Sequence, residues 1–181
     1  MADTGWKSPT STIDKGSSWT NVNNLKVNDS NYATANTLMG DSTSNVFCTG
    51  FGFNIPKDAT IDDIKCRIKG YSVPNGGTVG NQGASGTYWI KNGVVVGTGT
   101  TSYIYSTDQY YDVKDGLGGV SWSYLDINNS NFGAKIHRGS HSGTATDVDW
   151  YLDHIQMIVY YTEPPPIVGE KYPLPPFRRS V

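Results

Sequence analysis

The chain has 181 residues and a formal net charge of −2, with 17% charged and 36% hydrophobic residues. Gly, Ser, Thr and Asn make up well over a third of it, and every acidic residue before position 163 is Asp. This scarcity of Glu, Ala and Leu beside abundant Thr, Tyr and Val excludes a helical bundle or coiled coil, argues against a βαβ enzyme, and offers neither a nucleic-acid charge footprint nor a membrane-spanning apolar run.

The first residues, Met1-Ala2-Asp3-Thr4-Gly5-Trp6, have no basic start and no apolar stretch, so no secretory signal is read and synthesis in a cytosol is expected. Residues 1–44 are irregular, with Trp6 and Trp19 expected to anchor loops and edge strands. Residues 45–55 read as an aromatic-rich strand ending at Pro56, and 56–60 as a turn. Residues 61–72 carry the clearest alternation: Ile64, Cys66 and Ile68 on one face, Lys65, Arg67 and Lys69 on the other. Residues 73–86 read as a Gly/Pro/Asn loop. Asn92-Gly93 between two apolar runs marks a hairpin, because its turn needs positive φ. A Tyr-rich stretch follows at 103–113, broken by Gly116-Leu117-Gly118-Gly119. A short strand is expected at 132–137, a loop at 139–144, and a long closing strand at 149–162 that is covered on both faces.

Strands separated by Gly/Asn turns, with no helical period, predict an all-β fold: an antiparallel two-sheet β-sandwich of jelly-roll type over residues 1–162. Residues 163–181 hold six of the nine prolines and read as an extended tail, partly polyproline II. In this tail Tyr172, Leu174, Phe177, Arg178 and Arg179 are candidate partner-binding residues, hydrophobic anchors spaced by prolines and ending in two arginines suited to an acidic surface.

Catalytic residues are not found. His137 and His141 sit four apart, but Arg138-Gly139-Ser140 between them removes the helix that would point both at a zinc ion. Asp153 and His154 read as a structural hydrogen-bonded pair. Asp29, Asn31 and Asp41 match no calcium-loop spacing and read as turn residues. Cys48 and Cys66 alternate with apolar neighbours and read as two buried thiols; spacing alone does not support a disulfide between them. The chain therefore calls for no metal and no cofactor. Tyr103, Tyr105, Tyr110 and Tyr111 have two readings, a sugar-stacking platform or core and interface residues.

An ordered set of short motifs resembles a known family. These are Trp19-Thr20-Asn21-Val22-Asn23-Asn24, Asp29-Ser30-Asn31-Tyr32-Ala33-Thr34, Phe51-Gly52-Phe53-Asn54-Ile55-Pro56 with Ala59-Thr60-Ile61-Asp62-Asp63-Ile64, Asp126-Ile127-Asn128-Asn129-Ser130-Asn131-Phe132-Gly133, and Val148-Asp149 with Asp153-His154-Ile155 and Val159-Tyr160-Tyr161-Thr162. Over residues 15–162 they resemble a β-sandwich module of tailed-bacteriophage virion proteins. The resemblance implies a virion structural protein that is not an enzyme. Capsid decoration is the first expectation: an oligomer that binds and reinforces the assembled head, with the tail strapped over the major capsid protein or a neighbouring copy. A tail-fibre or baseplate receptor-binding module, taking a host-surface glycan, is the second. No nucleic-acid or membrane partner is expected.

Overall fold

The computed structural model describes residues 1–16, 18–38, 45–77, 79–81, 84–138, 142–143 and 147–165. The strands are β1 (Ala2–Asp3), β2 (Ser11–Asp14), β3 (Trp19–Thr20), β4 (Ala33–Leu38), β5 (Asn45–Thr49), β6 (Thr60–Asn75), β7 (Val79–Asn81), β8 (Ala84–Lys91), β9 (Val94–Tyr103), β10 (Gln109–Lys114), β11 (Gly133–Arg138), β12 (Ser142–Gly143) and β13 (Asp147–Thr162). A six-stranded sheet runs β10-β6-β13-β4-β3, with β1 also paired to β13; a five-stranded sheet runs β2-β5-β11-β8-β9. β7 and β12 form a separate two-stranded ribbon. All pairings are antiparallel, and from β4 onward the chain passes repeatedly from one large sheet to the other, as the predicted sandwich requires.

The core lies between the sheets. Ile64, Cys66 and Ile68 of β6 are buried inward, and Lys65, Arg67 and Lys69 stand on the outer face, as the alternation predicts. Trp19 and Trp150 both pair with Ala35 across adjacent strands, and all three are buried; a small residue between two indoles leaves each its room. Phe53, Phe132 and Trp122 close one end, with Phe132 centred 5.8 Å from Phe53 and 5.4 Å from Trp122. Cys48 and Cys66 are buried free thiols, and burial pushes the Cys48 thiol up to about 12.

The Asn92-Gly93 hairpin forms as expected, with φ of 50° and 81° at the two turn residues and Lys91 paired to Val94. Three expectations need correcting. The strand expected over 45–55 stops at Thr49, since Gly50 and Gly52 take φ of 73° and 65°; Asn128 then binds Ile55 on both its N–H (2.7 Å) and its carbonyl (2.9 Å). Phe51, Phe53 and Ile55 stay buried without a strand partner of their own. The loop expected over 73–86 is largely strand, because β6 continues to Asn75 and β8 begins at Ala84. In a chain read as having no helical period, residues 124–127 form one helical turn, α1 (Tyr124–Ile127), fixed by a capping box between Ser123 and Asp126.

The long closing strand contains a one-residue bulge. Leu152 pairs with Gly70 and His154 with Lys69, so Asp153 is the extra residue. The bulge shifts the inward phase from Val148, Trp150 and Leu152 to Ile155, Met157 and Val159. A Cβ on Gly70, opposite the bulge, would overlap the Tyr151 carbonyl oxygen and crowd Leu152 Cα at 2.9 Å, so this tight crossing admits only glycine.

Candidate functional site

Tyr172, Leu174, Phe177, Arg178 and Arg179, as well as His141 and Asp41, lie outside the described residues. Of the four tyrosines considered as one platform, Tyr103 and Tyr105 are exposed, Tyr111 is buried and contacts Tyr105 at 6.1 Å, and Tyr110 faces His154 instead. They do not form a single stacking surface. His137 Nδ1 lies 3.0 Å from Asn45 Oδ1 across the β5–β11 pairing. Asp29 accepts from the backbone N–H and the amide of Asn31, both at 3.0 Å, a local turn that holds its carboxyl below the usual range.

The chemistry of the described residues gathers on the outer face of the six-stranded sheet. At its centre the Arg67 guanidinium is clamped between the Trp6 ring (4.0 Å) and the Tyr110 ring (4.2 Å). Gln156 Oε1 accepts from its Nε at 3.1 Å and its Nη2 at 2.8 Å. The N-terminal segment is thereby sewn onto the face, and the main chain at Thr4 and Lys7 continues the seam through hydrogen bonds to Val159 and Met157.

Asp153 and His154, expected to bond to each other, each bind elsewhere, because the bulge separates their directions. Buried Asp153 accepts the Asp29 and Ser30 N–H groups on one oxygen (3.2 and 3.0 Å) and Lys69 Nζ on the other at 2.7 Å. His154 sits between Ser8 Oγ, 2.8 Å from Nε2, and the Tyr110 hydroxyl, 2.9 Å from Nδ1. A serine and a histidine at that distance resemble a nucleophile and its base. The group behind the ring is a phenol, however, and both oxygens of the neighbouring carboxylate are already occupied. The trio acts as a pin for the N-terminal segment.

That pin makes stability depend on pH. Burial, with the Arg67 and Lys69 charges adding to it against the opposing Asp153, lowers the His154 pKa below the ordinary histidine value of 6.5. The unfolded chain therefore takes its proton first as pH falls through 6.5, and stability is lost from there down to the lower folded value. Thermal melts between about pH 8 and about pH 5 should show Tm falling with acid, and the fall should be smaller in His154→Gln. Equal acid slopes in both proteins would remove His154 as the cause.

Farther along the same face, Tyr71 of β6 and Tyr151 of β13 pair directly across the strands. Their rings stack at 4.8 Å and within 8° of parallel, the spacing of the strands that carry them. Tyr32 meets both edge-on, at 5.4 and 6.1 Å, and donates its hydroxyl to Asp108 at 3.0 Å. On the other side of Tyr151 lies a shallow depression of about 250 Å³, lined by Ser18, Thr20, Thr34, Asn36, Asp149 and Tyr151 among others. Asn36 Nδ2 donates to Asp147 at 2.8 Å and to Asp149 at 2.7 Å, and Asn75 Nδ2 donates to the second Asp149 oxygen at 2.9 Å. Tyr71 and Tyr151 were missed in the sequence because they lie eighty residues apart, one near the end of the strand read over 61–72 and the other in a strand taken to be covered on both faces.

No protein-family model matches the chain, and no curated protein matches it. Among solved structures it is similar to one described as "CBM4 structure and function", with a TM-score of 0.41 and 11% identity, covering 84% of this chain and 93% of that one. A likeness this slight does not say what the present chain binds.

Proposed function

We propose that this protein is a non-enzymatic binding module of a tailed-phage particle, held there through its sandwich and its proline-rich tail, with the outer face of the six-stranded sheet as its contact surface. One observation on that face carries the binding reading. Its reactive groups, Asp153, His154 and Arg67, are engaged with one another's neighbours, while Trp6, Tyr32, Tyr71 and Tyr151 stand half-exposed beside polar side chains. Aromatic and Arg side chains in that arrangement are the usual anchors of an interface. The virion placement is supported by the ordered motifs from Trp19 to Thr162.

In the decoration reading, a strap that binds only the assembled lattice reinforces it by mass action. Removal of residues 163–181 should then abolish association with purified particles while leaving the melting temperature of the sandwich unchanged. Full retention of the truncated protein on particles would sink the strap. Failure to detect the intact protein in purified particles by mass spectrometry would sink the virion reading altogether. The receptor-binding reading gains from the depression beside Tyr151, whose lining suits a small polar ligand.

A further inference from the structure

We infer that the depression beside Tyr151 is a binding site for one ring of a neutral carbohydrate. The inference rests on the reading of this protein as a binding module and names the ligand class of one site on it.

Strand pairing builds the site. One rung of the six-stranded sheet runs Tyr71–Tyr151–Thr34–Thr20, carried by β6, β13, β4 and β3. Two tall rings are thus followed by two short side chains. Tyr71 covers one face of the Tyr151 ring, and the other side of that ring is the wall of the depression. Tyr32, set edge-on to both rings, and the strand spacing hold that wall upright. A ligand standing on Thr34 would therefore lay a flat apolar face against Tyr151. A pyranose offers such a face in its axial C–H groups, and its hydroxyls project from the rim.

The rim is polar in the sense this ligand needs. The Thr20 and Thr34 hydroxyls lie 2.6 Å apart, with the Thr34 carbonyl oxygen 3.4 Å from Thr20 Oγ1, and each hydroxyl oxygen keeps a lone pair to offer a ligand. Asp149 accepts one amide N–H on each oxygen, from Asn36 and Asn75, and a carboxylate has about four acceptor sites, so acceptors remain for ligand hydroxyls. Those two amides also fix the carboxylate in place, and a prearranged acceptor spends little entropy on binding. The carboxylate in the lining of the depression is that of Asp149. A local negative field disfavours sialylated, sulfated or phosphorylated ligands and favours neutral sugars.

The test uses the full chain on an array of neutral gluco-, galacto- and manno-oligosaccharides with sialylated counterparts, followed by calorimetric titration of the best neutral binder. Binding of a neutral glycan, at least tenfold weaker in Tyr151→Ala, is expected. Thr34→Tyr, which fills the depression and leaves the Tyr151 ring in place, should abolish it with the melting temperature retained. If Tyr151→Ala fails to fold, Thr34→Tyr decides alone. Absence of neutral glycan binding, unchanged binding in Thr34→Tyr, or preference for the sialylated series would each overturn the inference. Any of these outcomes leaves particle association, the test of the wider reading, untouched.

Discussion

Trp89→Ala should lower the stability of the sandwich by about 4 kcal/mol, near the middle of the range for truncating a fully buried tryptophan. Trp89 is fully buried in β8 and belongs to the continuous core. Three separate losses converge there. Its indole N–H donates to the Gly116 carbonyl at 2.9 Å, so truncation leaves that acceptor short of a partner. The ring fills space that Gly118 already approaches, as a Cβ at Gly118 would lie 3.0 Å from Trp89 Cδ1. The ring also carries the Lys114 ammonium, 5.0 Å from its centroid. Lys114 is 2% exposed, and its described hydrogen bonds go to neutral oxygens, the Thr98 carbonyl at 2.8 Å and the Thr100 hydroxyl at 3.2 Å. Burial holds its pKa below the ordinary lysine value, so the π face is a real part of what keeps the charge inside. Urea unfolding of Trp89→Ala, Lys114→Met and the double variant should give a coupling energy of about 1–2 kcal/mol, the size of a desolvated cation–π contact. A loss under about 1 kcal/mol for Trp89→Ala would mean the site collapses to fill the space. Additive single effects would mean the ring and the ammonium do not sense each other.

Lys114 also marks the limit of what alternation reveals. In β10 the inward residues Tyr111 and Val113 follow a strict period of two, and Lys114 should point outward. A register shift between Asp112 and Lys114 turns it inward instead. The same cause hid the centre of the outer face. The apolar phase of β13 changes between Leu152 and Ile155, and that change is visible in the sequence as two consecutive polar residues between apolar runs. Read as a plain strand, it makes Asp153 and His154 partners; as a bulge, it sends them to Lys69 and to Ser8. Where no bulge intervenes, as in β6 from Ile64 to Ile68 or the hairpin at Asn92-Gly93, residue pattern and backbone agree. The aromatic face was illegible for a different reason. Tyr32, Tyr71 and Tyr151 come together only through pairings between strands far apart in the chain, whereas the tyrosines that cluster in sequence, Tyr103 to Tyr111, are split by the turn before β10. Sequence proximity concentrates residues on a helix face or one strand; a sheet face is assembled across strands.

Asp153→Ala should destabilise the protein by about 3 kcal/mol, the lower end of the range for removing one partner of a buried ion pair. The lower end applies because Lys69 is not stranded: its side chain is 19% exposed, with Asp108 3.7 Å away and Asn28 Oδ1 at 2.8 Å. The greater part of the loss comes from the Asp29 and Ser30 N–H groups, which lose their acceptor together. Asp153→Asn should cost less than the alanine change, since its one carbonyl oxygen can serve the two N–H groups while its NH₂ meets the Lys69 ammonium unfavourably. Lys69→Met in the alanine background should then cost less than in the native chain, because the pair is already broken. The consequence reaches the aromatic face. Asp29 and Ser30 belong to the turn that delivers Tyr32 to the edges of Tyr71 and Tyr151. Freeing them lets that ring depart from its place against the stack, so near-ultraviolet circular dichroism should lose tyrosine signal at temperatures where the far-ultraviolet strand signal persists. Loss of both signals together would make Asp153 a purely global stabiliser. Separate loss would make the buried carboxylate the residue that positions Tyr32, and through it the wall of the depression.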